Sequence, residues 1–242
     1  MNSDWFALAF AMIYPSFMSW IYFVALATEN GKVNVLVPVV YGAGKLVQFT
    51  FPVIYTWFFN REDLQPHGPN LRGMVIAVGF GLFTVAVMFA VYFGLMRGTS
   101  LAEVAAQAIL VKLREFNLAS PLAFLLFAVF VSVLHSLFEE YYFRWFIFNL
   151  LKHHLNLTAA VVLSALAFMA HHIITLAVYF PGGWNFIILV VLFSIAVAVG
   201  GAVWALIYDS AQSLYAPWLS HLIVDAGIMV VGWDLVGAYL GG

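Results

Sequence analysis

The stretch Phe138-Glu139-Glu140-Tyr141-Tyr142-Phe143-Arg144 sets two carboxylates and a guanidinium between two apolar runs, 121–138 and 145–151. A charge at the centre of a bilayer helix costs on the order of 3 kcal/mol on insertion scales, so each such group must be paired, hydrated in a cavity, or used. On a helix Glu140 and Arg144 are four apart and share a face, which suits an ion pair. Glu139 points about 100° away and by this spacing has no such partner. It is therefore the group left over for chemistry. Downstream, His221 and Asp225 are four apart, the spacing at which a carboxylate can orient an imidazole. Phe168 and His172 share a face in the same way. His171 points about 100° from His172 and reads as packing, whereas His135 shares a face with Glu139 and could tune it. Lys45 stands inside an apolar run with no partner to name.

A carboxylate removed from bulk water can act as general base toward a water molecule. A histidine can pass the proton on or donate to a developing oxyanion. Together these groups suit hydrolysis of an amide bond. Serine chemistry has no comparable support: Gly-x-Ser-x-Gly is absent, and Ser132, Ser136, Ser164 and Ser220 lack a motif context. His-Glu-x-x-His is also absent. A zinc site built outside that motif from Glu139, His172 and His221 stays open, because two His and one carboxylate form a known catalytic zinc set.

The elements that must position these residues are set by hydropathy. Of 242 residues, 65% are hydrophobic and only 8% charged, and mean hydropathy is +1.02. That composition belongs to an all-α, polytopic transmembrane helix bundle. The net charge of -2 offers no basic surface for nucleic acid. The absence of cysteine excludes disulfides, a thiolate nucleophile and thiolate-ligated metal. Apolar spans are expected over about 5–26, 35–59, 73–95, 121–151, 157–180, 186–207 and 216–240. The first has no basic residues before it and reads as a retained span. The fourth is too long for one straight crossing, so a tilt or break near the Glu pair is expected. Residues 101–116 read as an amphipathic helix in the interface, with Ser100 and Glu103 as its capping box. The polar turns are 28–34 and 60–72, with a further turn at 181–185. Gly200-Gly201 would permit close helix approach. No linker or repeat divides the chain, which reads as one membrane domain over 1–242.

Glu139-Glu140-x-x-x-Arg144, Phe168-x-x-x-His172 and His221-x-x-x-Asp225, in that order on successive apolar segments, resemble the CAAX protease and bacteriocin-processing (Abi) family. These are glutamate-type intramembrane endopeptidases and include the eukaryotic Ras-converting endoprotease. The resemblance covers about 121–230. It implies a bundle of about eight helices around a polar cavity, no metal and no other cofactor. It implies that Glu139 activates the attacking water and His172 assists. It assigns His221 and Asp225 to the oxyanion, and makes Glu140 and Arg144 structural support. Its substrates would be peptides or proteins, including C-terminal tails and lipidated or membrane-anchored peptides. In a prokaryote the plasma membrane would house it. Eukaryotic members usually carry Asn where this chain has Asp225, and an ionised Asp cannot donate to an oxyanion. Either Asp225 is protonated in its apolar site, or it orients His221 and leaves His221 to act alone; the second is the expectation.

Two other classes compete with an endopeptidase. One is a non-catalytic scaffold or bacteriocin-immunity protein of the same fold, which would not need every ionisable motif position. The other is a proton-coupled transporter, which also uses intramembrane Glu and His but commonly shows an internal repeat.

Overall fold

The computed structural model describes residues 2–26, 36–59, 68–180 and 182–240. Eight helices organise these residues. They are α1 (Asn2–Trp20, extended by a π-helical turn Ile21–Ala25), α2 (Leu36–Phe58) and α3 (Leu71–Val91, extended by a π-helical turn Tyr92–Met96). They continue with α4 (Ser100–Glu115), α5 (Pro121–Lys152) and α6 (Leu157–Tyr179). The last two are α7 (Trp184–Ala211) and α8 (Tyr215–Val236). All but α4 are long and apolar enough to cross a membrane. The all-α bundle expected from hydropathy is the one observed, with ends shifted by a few residues. The turn at 28–34, residues 60–67 of the second turn, and Pro181 of the third lie outside the described residues.

Local chemistry starts the helices. The side chains of Asn70, Ser120 and Asn156 accept from the amides of Gly73, Ala123 and Ala159 at 3.0, 3.3 and 2.9 Å. Each satisfies an amide that its helix cannot. Pro121 then occupies a first-turn position that needs no amide donor. The cap of α4 differs from the expected Ser100–Glu103 box. Thr99 is extended and accepts from the Ala102 amide at 3.4 Å, so Ser100 is already helical. α4 buries Ala102, Ala105, Ala106, Leu110 and Leu113, while Glu103, Gln107 and Arg114 are exposed. Its apolar face meets Phe124, Val236 and Leu240 at one end of the bundle.

α5 is the axis. Its first half exposes Leu122, Leu125, Leu126, Val129 and Phe130. Its second half is largely enclosed, with Glu140, Tyr142, Phe143, Phe146, Ile147, Phe148 and Leu150 fully buried and only the stripe of Tyr141, Trp145 and Asn149 half-buried. The expected break at the Glu pair does not occur. The helix runs through Pro121–Lys152, and the α-helical turn Ser136–Glu140 is flanked by π-helical stretches Phe130–His135 and Tyr141–Phe148. Widened turns of this kind rotate the side chains that follow relative to a regular helix and recur at functional sites. The excess length needs no break because the second half of the helix faces protein. Around it, Tyr142 donates to the Ala11 carbonyl at 2.9 Å, Tyr141 to that of Phe49 at 3.2 Å, and Trp218 to that of Val133 at 2.9 Å.

α3 and α8 pack closely. A Cβ at Gly227 would sit 2.7 Å from Met88 and 2.8 Å from Val85. Gly227→Val is therefore expected to overpack this contact and cost about 1–3 kcal/mol. Thermal unfolding in detergent checks this, and an unchanged Tm contradicts it. Of the expected glycine pair, only Gly201 is at a close approach. A Cβ there would lie 3.2 Å from both Arg144 and Phe168, whereas Gly200 has only Trp204 nearby, at 3.9 Å.

Candidate active site

Three helices deliver the polar groups to one buried point. α5 supplies His135, Glu139, Glu140 and Arg144; α6 supplies His171 and His172; α8 supplies His221 and Asp225. On α6 the buried positions Ala160, Val161, Ser164, Ala165, Ala167, Phe168 and His171 form one stripe, and the two histidines stand at its end.

Glu140 and Arg144 lie 3.1 Å apart, and both are almost completely buried. The guanidinium also donates to the Gly201 carbonyl at 3.2 Å. It lies over the rings of Phe168 and Trp204, with centroids 4.4 and 5.3 Å away. Those π faces add attraction for a desolvated cation. The same Glu140 Oε1 accepts from His221 Nδ1 at 2.7 Å. Glu140 therefore links the ion pair on α5 to the imidazole on α8. The His221 ring stacks on Trp204 at 4.1 Å and 19°, and Trp204 donates to Ser220 Oγ at 3.0 Å. Asp225 Oδ1 is 3.5 Å from His221 Nε2. The carboxylate nearest this imidazole is thus Glu140, on Nδ1, with Asp225 farther off on the Nε2 side.

Glu139 is not the partnerless group that its spacing suggests. Its Oε1 is 3.2 Å from His135 Nε2 and 3.3 Å from His171 Nε2, and its Oε2 is 3.7 Å from His221 Nε2. His135 therefore meets Glu139, as its shared face allows. His171, read from spacing as packing, also turns to Glu139, because the partner lies on another helix. His171 still packs, against Phe143 at 5.4 Å and 12°. His172 Nδ1 donates to the Phe168 carbonyl at 2.9 Å. That bond fixes its tautomer and leaves Nε2 with a free lone pair.

Lys45 lies over the rings of Tyr41 and Phe49 at 5.8 and 5.4 Å, and Phe49 stacks on Phe138 at 4.9 Å beside the Glu pair. Trp204 has no spacing signature in the sequence, since its role comes from stacking across helices. As metal donors, Glu139, His171 and His172 each offer an atom within 4.8 Å of the others'. This set differs from the Glu139–His172–His221 combination that the sequence leaves open beside its expectation of no metal.

Chemically, the point holds a carboxylate among imidazoles, an imidazole with a free lone pair, and a second imidazole fixed by a salt-bridged carboxylate. The family model described as type II CAAX prenyl endopeptidase Rce1-like matches residues 121–227. That segment begins with α5 and contains every residue of the constellation. No curated protein and no solved structure matches the chain.

Proposed function

We propose, from the premise that the chain belongs through residues 121–227 to the Rce1-like CAAX endopeptidase family, that it hydrolyses peptide bonds by glutamate-activated water. The family is one of membrane proteases, and this member is an integral multi-pass membrane protein. Glu139 takes the proton of a water held between it and His172. The water oxygen attacks the scissile carbonyl carbon. His221, carrying a proton on both ring nitrogens, donates from Nε2 to the resulting oxyanion while Nδ1 stays on Glu140, and the proton on Glu139 passes to the departing amine as the C–N bond breaks. Glu140 holds His221 through Nδ1, and Arg144 holds Glu140. The observation that carries this reading is the Glu139 carboxylate, 3% exposed and within 3.7 Å of three imidazoles. Substrates are C-terminal tails and lipidated or membrane-anchored peptides, since a site enclosed by membrane helices selects chains that already partition there.

In this scheme Asp225 is auxiliary. Asp225→Asn is expected to retain turnover to within about tenfold, since Glu140 already fixes the imidazole and Asn supplies a donor. A peptide-cleavage assay on the purified variant checks this, and a hundredfold loss would return the orienting role to Asp225. The reading as a whole is tested by incubating the purified chain in proteoliposomes with a farnesylated peptide carrying a CAAX end. Release of the tail supports it. Solute uptake driven by a pH gradient, without cleavage, would favour a transporter.

A further inference from the structure

The mechanism above leaves His135 and His171 without a chemical task, although each brings a ring nitrogen to Glu139. A tetrahedral zinc site has Zn–N and Zn–O distances near 2.0–2.1 Å, so its ligand atoms are about 3.3 Å apart. His171 Nε2 and Glu139 Oε1 are separated by 3.3 Å. His172 completes a set whose donor atoms all lie within 4.8 Å of one another, so closing on an ion would draw the widest pair together by up to about 1.5 Å. His172 also has the tautomer a ligand needs: Nδ1 is committed to the Phe168 carbonyl and Nε2 is free. The His171 ring is held in place by its stack on Phe143, with Nε2 turned to Glu139. Two imidazoles and one carboxylate suit zinc and its transition-metal neighbours better than calcium or magnesium.

We propose that Glu139, His171 and His172 bind a zinc-class divalent cation, and that the bound ion blocks hydrolysis at this site. The second half of this inference rests on the hydrolytic reading above. Blocking follows from what the ion would consume. It would take the Glu139 oxygen and the His172 lone pair, the two groups that handle the water's proton. A catalytic zinc site needs a further base that is not a ligand. The other carboxylates at this point are engaged elsewhere: Glu140 Oε1 by Arg144 and His221, and Asp225 by His221.

The test uses the purified full-length chain in detergent, stripped with chelator and dialysed against zinc chloride or cobalt chloride. The expected result is one ion per chain and a tetrahedral-type cobalt absorption spectrum. His171→Gln and Glu139→Gln should each weaken binding by about tenfold or more, while His153→Ala should not. Absence of binding, or binding indifferent to both substitutions, overturns the site. Cleavage of the farnesylated peptide by the native chain should fall in step with zinc occupancy and return with chelator. The zinc sensitivity of His171→Gln, read as the ratio of its own rates with and without metal, should be lost. Cleavage that requires zinc overturns the block and makes the ion a cofactor. Absence of cleavage in either state removes the hydrolytic reading and the block with it, while occupancy still decides the site.

Discussion

Glu139→Gln is expected to lower kcat for peptide cleavage by about 10²–10⁴-fold, the range lost with a positioned general base. The substitution keeps volume and leaves an amide able to meet His135 and His171, so KM and thermal unfolding should change little. The expectation follows from position. Glu139 is buried between two π-helical stretches of α5, and its two oxygens face imidazoles from α5, α6 and α8. Glu140, one residue away, is occupied by Arg144 and His221. Kinetics of the purified variant check this, with circular dichroism as the control for folding. Turnover within tenfold of native would remove Glu139 from the role of base.

The second large effect is on stability. Arg144→Met is expected to cost about 3–5 kcal/mol, because it strands the buried carboxylate of Glu140. The guanidinium is 1% exposed, and among the described residues it also meets the Gly201 carbonyl and the faces of Phe143, Phe168 and Trp204, so it is shielded from water. The paired variant Glu140→Gln/Arg144→Met should recover much of that loss, since neither charge then remains unpaired. Unfolding in detergent reads both effects. An Arg144→Met chain as stable as native would mean that Glu140 is not held as a charge by Arg144.

The spans were legible because hydropathy reports which segments avoid water. The same measure cannot separate residues facing lipid from residues facing protein. Leu125 and Phe146 both count as apolar in it, yet one is exposed and the other fully buried. That is why α5 read as an over-long span needing a tilt or a break; of the two, the break does not occur. Within the site, contacts along one helix could be read directly. Glu140 and Arg144 are four apart and meet, and so are His135 and Glu139. Contacts across helices could not. His171 is about 100° from His172 on the helical wheel, yet their rings lie 4.1 Å apart, and the wheel carries no information about Glu139 on α5. Glu140 likewise gave no sign of holding His221, a residue on α8. Trp204, which stacks on both His221 and Arg144, belongs to no motif and is recognised only once α7 is in place.

The central claim is that this membrane protein cuts peptide bonds and that Glu139 makes it do so. Its most direct test compares peptide termini in membranes of cells carrying either the native chain or Glu139→Gln at matched, folded levels. The account predicts a defined set of new termini, lying near membrane-anchored or C-terminal segments, that is present with the native chain and missing with the variant. Indistinguishable termini would contradict it.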